Sequence, residues 1–222
     1  MRHTALLLSL LLGSVAFALR AVAAPTGPQP LDPGLTYLRV AALGETIAEV
    51  SRLAGTADAL VLDLRYADAT ETDAAALGAL LAGRRSASAR WFVLVSPATP
   101  PALAAALQSA PPGVLTLGVA GSTPPPAVVV AQPADVDRRA YDAWSEQLPL
   151  AALIAGKVEK ERYDEASLVR EFARGVSDPA PPPAPDPTNA PAATKAPVLT
   201  DRVLQRAVHL HRALQALRPR AR

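Results

Sequence analysis

Short apolar runs alternate along the chain with stretches of helical periodicity, and this alternation restricts the possible folds more than any other feature. The apolar runs predict strands, and the periodic stretches predict helices between them. The strands are expected at 35–42, 59–64, 91–96, 114–119 and 127–131, and the helices at 45–54, 71–82, 101–109, 137–148 and 163–174. Because strands that alternate with helices form βαβ units, we expect an α/β fold with a mostly parallel sheet and flanking helices.

Prolines mark the expected boundaries of this domain. Residues 24–33 (APTGPQPLDP) are a proline-rich leader, which we expect to form neither a strand ladder nor a helix. The α/β domain is expected over 34–178. Residues 179–197 hold eight of the 23 prolines, which predicts a semi-extended linker to a last segment at 198–222.

The last segment predicts an amphipathic helix. Thr200 and Asp201 provide an N-terminal cap. Apolar residues then recur with spacings of 4, 3, 4 and 3, at Val203, Ala207, Leu210, Leu214 and Leu217. Because such a stripe needs an apolar partner, we expect this C-terminal helix to fold back onto the domain, with pairing to another chain as a homo-oligomer left as the alternative.

The N-terminal residues have the layout of a secretory signal peptide. Basic residues precede an apolar run at 5–12, and Ala21 and Ala23 supply the A-x-A pattern, which predicts a signal peptide over 1–23. A membrane anchor is the alternative, but the apolar run is shorter than the ~20 residues that a span needs. We therefore expect a secreted or periplasmic protein of the cell envelope, with no membrane span after signal cleavage.

Composition argues against several classes of function. The chain has no cysteine, so it has neither disulfides nor thiolate metal sites. Arg2 and Arg20 leave with the signal peptide and no acid does, so the formal net charge of +2 falls to zero. Four tyrosines, three phenylalanines and no basic-aromatic platform give nucleic-acid binding no support. We expect no metal and no cofactor.

Several segments resemble the tail-specific (C-terminal processing) serine peptidases. Residues 34–40 (GLTYLRV) and, after a helix, 59–65 (ALVLDLR) resemble the family's paired "GYIRI" and "LVLDLRNNPGG" segments. Residues 93–99 (VLVSPAT) are similar to its "VLVNxxTASAAE" turn, and 117–123 (LGVAGST) stand where the family has "GxxTxGK". Residues 200–207 (TDRVLQRA) resemble its closing "DPVLQRAL" helix. The resemblance implies a crotonase-like fold, here without a peptide-binding PDZ insert.

The same resemblance implies a degenerate member of the family. The family's serine nucleophile falls on Pro101, which has no hydroxyl, and its lysine base falls on Pro124 or a neighbouring proline. The glycines of its oxyanion hole fall on Ala69 and Thr70, which lack a glycine's conformational freedom. Acyl transfer needs an activated nucleophile and fixed donors for the oxyanion, so we expect no catalytic residues at these positions.

Displaced residues are the remaining route to catalysis. Ser96 or Ser122 with Lys157 would form a serine-lysine pair, although we expect both serines to bond turn amides instead. Asp63 and Arg65, two residues apart, are expected to form a structural ion pair. We therefore expect a proteolytically inactive protein that binds a protein or peptide partner. The alternative is an active serine-type peptidase with displaced catalytic residues.

Overall fold

A computed structural model describes residues 27–83, 90–146, 148–155 and 199–217 of the chain. The expected signal peptide at 1–23, the linker at 179–197, the helix at 163–174 and Lys157 lie outside these residues. The statements that follow concern the described residues.

Six strands form one sheet, and they follow each other across it in sequence order. The strands are β1 Gln29–Asp32, β2 Leu35–Arg39, β3 Ala59–Asp63, β4 Arg90–Val95, β5 Val114–Val119 and β6 Val128–Val130. Strands β2 to β6 are all parallel, and β1 pairs antiparallel with β2. The expected α/β class with a mostly parallel sheet is confirmed.

Six helices cover the two faces of this sheet. They are α1 Leu43–Thr56, α2 Glu71–Ala82, α3 Pro101–Gln108, α4 Ala134–Ser145, α5 Leu150–Ile154 and α6 Arg202–Ala216. Helices α1, α2 and α3 connect successive parallel strands and share one apolar cluster with the sheet. Helices α4, α5 and α6 share the cluster on the other face. The division follows the period of two along a strand, so that Leu60 and Leu62 join the first cluster and Ala59 and Val61 the second.

Local sequence explains where the helices begin. Thr70 caps α2 through a reciprocal capping box with Asp73. Pro100 and Pro101 occupy the start of α3, where a missing N–H removes no helical hydrogen bond. Asp201 caps α6, as expected, by accepting a bond from the amide of Leu204 at 2.9 Å.

The expectation that residues 24–33 form no strand is partly wrong, because residues 29–32 form β1. Pro30 pairs opposite Thr36, and the register shifts between Pro30 and Asp32. Strand β1 lies at the edge of the sheet, and an edge strand tolerates a proline because its outer side needs no donor. The sequence pattern also missed α5, whose five residues are too few to show helical periodicity.

The C-terminal helix folds back onto the domain. Val203, Leu204, Ala207 and Val208 of α6 are buried in the second apolar cluster. The amide of Asp201 donates to the carbonyl of Leu153 at 2.9 Å, so the segment outside the described residues begins and ends at neighbouring points. Helix α6, which the sequence placed in a separate terminal segment, is therefore part of the second helical layer.

One close approach in the sheet requires a glycine. A Cβ atom at Gly118 would lie 2.5 Å from the Val95 carbonyl oxygen and 2.7 Å from Ser122 Oγ. At Gly78, inside α2, the nearest atom to such a Cβ would be Ala106 Cβ, at an ordinary 3.7 Å. A methyl group would therefore clash with its neighbours at Gly118 but make an ordinary contact at Gly78.

We expect Gly118→Ala to lower the free energy of unfolding by about 1–3 kcal/mol, because the backbone must shift to admit the methyl group. Gly78→Ala is the control, and it should raise that free energy by up to about 1 kcal/mol, since alanine favours the helix. Urea unfolding of both variants measures the difference. A wild-type urea midpoint for Gly118→Ala would contradict the prediction.

Candidate functional site

The carboxyl edge of the parallel strands is the place where α/β sheets usually bind their ligands. In the described part of this protein, eight of the ten buried polar side chains gather at that edge and at the helix ends that meet it. They are Asp63, Arg65, Ser96, Thr99, Ser122, Gln132, Asp137 and Asp201. This edge is therefore the candidate functional site.

Arg65 lies at the centre of the site, with only 1% of its surface exposed. Its Nε and Nη2 donate to Asp63 at 3.0 and 2.7 Å. Its Nη1 donates to Asp137 at 2.8 Å and to Asp201 at 3.1 Å, and Nη2 also donates to Asp201 at 2.8 Å. A guanidinium has five N–H donors, so these five bonds use all of them. We call Arg65 and its three aspartates the Arg65 cluster.

Three parts of the fold supply the carboxylates of the Arg65 cluster. Asp63 is the last residue of β3, and its Oδ1 also accepts the backbone N–H of Arg65 at 3.3 Å. Asp137 lies in the first turn of α4, and Asp201 is the N-cap of α6. Carboxylates are favoured at helix N-termini, where backbone N–H groups are unpaired. The cluster therefore joins β3 to the starts of both helices.

Two tyrosines complete the hydrogen bonding of the cluster. The hydroxyl of Tyr37 donates to Asp63 Oδ2 at 2.9 Å, and that of Tyr66 donates to Asp137 Oδ2 at 3.2 Å. Burial, together with the nearby carboxylates, raises the pKa of both phenols, so they remain protonated donors. Each buried carboxylate thus receives more than one hydrogen bond, as buried charges require.

The cluster contains more negative than positive charge. Three carboxylates face one guanidinium, and no other cation of the described residues forms an ion pair with them. Burial alone would lower the pKa of Arg65, but the three aspartates raise it well above its usual value. Burial raises the pKa of Asp137, and the charges of Asp201 and Asp63 add to this rise against the opposing effect of Arg65.

A stack of aromatic rings and cations borders the cluster on α4. The guanidinium carbon of Arg39 lies 3.5 Å from the centroid of the Tyr141 ring and 5.4 Å from that of Trp144. Arg39 Nη1 also donates to the carbonyl of Tyr141 at 3.2 Å and to Ser145 Oγ at 2.8 Å. These contacts tie the end of β2 to α4, and they leave Arg39 engaged within the protein.

The junction between β4 and α3 holds the position expected for a nucleophile. Pro101 is the first residue of α3 there, so that position carries no hydroxyl. Ser96 is fully buried, and its hydroxyl donates to the carbonyl of Arg65 while accepting the amide of Ala98 at 3.1 Å. The amide of Ser96 donates to Thr99 Oγ1 at 2.9 Å. Ser96 therefore supports the turn, as expected, and its hydroxyl is not exposed to a substrate.

The other predicted positions are also engaged in structure. The hydroxyl of Ser122 is buried and donates to the carbonyl of Val95 at 3.3 Å. Pro124 follows Thr123, whose amide donates to the Ser96 carbonyl at 3.2 Å. Thr70 caps α2, and Ala69 packs against the first apolar cluster. The structure thus brings Ser96 and Ser122 to the same edge without exposing either hydroxyl.

A groove of about 510 Å³ lies elsewhere, between α2 and α3. Small residues line most of it, and Glu71 is the one charged residue in its lining. Ser109 supplies the one hydroxyl of this lining. Among the described residues there is also no group of three or more histidines or acids placed to hold a metal ion, and none of their helices is long and apolar enough to cross a membrane.

Sequence reasoning found part of the Arg65 cluster. The expected ion pair between Asp63 and Arg65 is present, at 2.7 Å. The partners Asp137 and Asp201 were missed, because they lie 72 and 136 residues from Arg65 along the chain. Asp137 and Asp201 are acids at the starts of helices. Arg65, an arginine that directly follows a buried strand and needs carboxylate partners, was the signal that could have pointed to them.

We expect Arg65→Met to lower the free energy of unfolding by about 3–5 kcal/mol, because it leaves three buried carboxylates without their cation. Arg138→Met is the control. Arg138 is exposed and pairs with Asp142, so its loss should cost at most about 1 kcal/mol. Urea unfolding at neutral pH measures both variants. Similar small losses in the two would contradict the structural role of the Arg65 cluster.

Comparisons with protein-family models, with curated proteins and with solved structures found no match to this chain. The α/β class therefore rests on the sheet and its helices. The likeness to tail-specific peptidases rests on the sequence segments alone.

Proposed function

We propose that this chain is a proteolytically inactive, tail-specific-peptidase-like protein of the cell envelope, with a crotonase-like fold, that acts by binding a protein or peptide. The observation that carries the proposal is the closed carboxyl edge. Where a catalytic α/β protein keeps polar groups free for a substrate, the groups at this edge bond to each other.

The chemistry of acyl transfer supports the same conclusion. An attacking hydroxyl needs a general base within about 2.6–3.2 Å and an open path to the scissile carbonyl. The hydroxyl of Ser96 is bonded to a carbonyl and an amide of the backbone, and that of Ser122 to a backbone carbonyl. The three lysines of the chain lie outside the described residues, and neither described histidine forms a hydrogen bond with either hydroxyl.

The alternative, an active peptidase with displaced residues, would require Ser96 or Ser122 to release its present hydrogen bonds and offer its hydroxyl to a base such as Lys157, which lies outside the described residues. For Ser96 that movement would break the bond to the Arg65 carbonyl and leave a buried acceptor unpaired, at a cost of about 1–3 kcal/mol. The geometry therefore favours the inactive form of the site.

The test is an incubation of the purified mature protein with unstructured peptides, followed by mass spectrometry. We expect every peptide to stay intact, and a serine-reactive fluorophosphonate probe to leave the protein unlabelled. Ser96→Ala and Ser122→Ala serve as matched variants. Cleavage by the wild-type protein that either substitution abolishes would establish the active alternative.

Binding is measured separately on the same peptides, by fluorescence anisotropy. The proposal expects saturable binding of a subset of peptides or of a protein partner without turnover. A protein that neither cleaves nor binds across such a set would count against the binding function while leaving the loss of catalysis intact.

A further inference from the structure

Helix α6 packs against the sheet through its buried apolar residues, and its N-terminus is bonded to the Arg65 cluster. The chain reaches α6 from α5 through the long segment 156–198. Asp201 places both carboxylate oxygens on the guanidinium, at 3.1 and 2.8 Å. The described residues stop at Ala155 and resume at Leu199. These two positions are close in space, because the amide of Asp201 bonds to the carbonyl of Leu153. Docking of α6 therefore depends on its contacts more than on chain continuity.

When α6 docks, Asp201 adds a third negative charge beside Arg65, which already pairs with Asp63 and Asp137. Without α6, Arg65 would keep bonds to Asp63 and Asp137, so its charge would still be compensated. Docking adds two hydrogen bonds but also sets Asp201 beside two other carboxylates. Like charges that share a buried site disfavour full ionisation, and one added proton relieves the repulsion.

Asp137 is the carboxylate best placed to accept that proton. It forms a single bond to Arg65, whereas Asp63 and Asp201 each form two. Its second oxygen contacts only the weakly donating hydroxyl of Tyr66.

The charged groups that act on Asp137 are Arg65, Asp63 and Asp201, and Tyr66 donates a hydrogen bond to it. On its own helix, Arg138 pairs with Asp142 and Arg139 pairs with Asp135. Neither arginine forms an ion pair with Asp137. The surplus negative charge of the cluster therefore stays uncompensated by these neighbours.

We propose that the Arg65 cluster is a proton-linked latch, in which uptake of a proton by the three carboxylates tightens the docking of α6 and its release loosens it. Opening would expose the apolar sheet face that α6 covers, including Phe92 and Leu117. The inference concerns a conformational equilibrium of the chain alone, and it holds whether or not the protein binds a peptide.

The sign of the pH dependence follows from the surroundings of Asp137 in the closed form. Burial and the adjacent carboxylates raise its pKa there, whereas opening exposes it to water and removes Asp201. Docking is therefore tightest at a pH below the open-state pKa and weakens as the pH rises through the raised closed-state pKa. At the other end of α6, Arg212 lowers the pKa of Asp32, so that ion pair persists until strongly acidic pH.

Hydrogen exchange of the full mature chain, from pH 8 down to a pH below the ordinary aspartate pKa of about 3.9, tests the latch. After correction for intrinsic exchange, protection of the α6 amides should fall with rising pH, while that of the β4 amides stays constant. Asp137→Asn, which retains an acceptor for Arg65 and removes a charge, should raise α6 protection at pH 7.5 severalfold, because it removes the repulsion between the buried carboxylates. It should also flatten the pH profile.

Asp142→Asn is the matched control, because it removes one exposed negative charge from the same helix and should leave α6 unchanged. His211 also lies on α6 and is present in all variants, so the difference between variants is the decisive quantity. Parallel pH profiles for wild type and Asp137→Asn would overturn the latch. If Asp137→Asn does not fold, the carboxyl titration of Asp137 in the wild type, followed by NMR, replaces it. Its midpoint must then coincide with that of α6 protection, and a different midpoint would refute the proposal.

Discussion

A buried arginine side chain must have its charge compensated and its donors bonded, and this requirement shapes the carboxyl edge of the sheet. The five N–H groups of Arg65 bond to carboxylates from β3, α4 and α6. Loss of the arginine at such a depth is costly, because three buried carboxylates would remain without a cation and without water to solvate them. The cluster therefore fixes where two helices of the second layer begin, and through them how that layer covers the sheet.

Hydrogen bonds within the protein also engage the polar groups of the neighbouring strand at this edge. The turn after β3 offers a carbonyl, and Ser96 from the neighbouring strand donates its hydroxyl to it. The helix that follows β4 begins with Pro101 and not with a hydroxyl-bearing residue. An α/β sheet usually leaves this region for a ligand, whereas here the protein's own side chains fill it. Function in binding, outside this edge, is the reading most consistent with that closure.

Much of the fold was predictable, because local pattern determines it. Continuous apolar runs predicted the parallel strands, and helical periodicity predicted α1, α2, α3 and α6, the last together with its cap at Asp201. Strand β1 was not predictable in this way, since Pro30 argues against a strand except at an edge, and the position of an edge is a property of the whole sheet. The site was predictable only for Asp63 and Arg65, which are close in sequence, because Asp137 and Asp201 reach Arg65 through tertiary packing.

The central claim is that Arg65 is saturated with carboxylates and immobile in the folded protein. Side-chain NMR of ¹⁵N-arginine-labelled protein at neutral pH tests it most directly. A guanidinium with all five donors bonded cannot rotate freely about its C–N bonds and is shielded from water. The account predicts separate, slowly exchanging signals for the Nε and Nη protons of Arg65, and their collapse into one rapidly exchanging Nη signal, as on an exposed arginine, would contradict it.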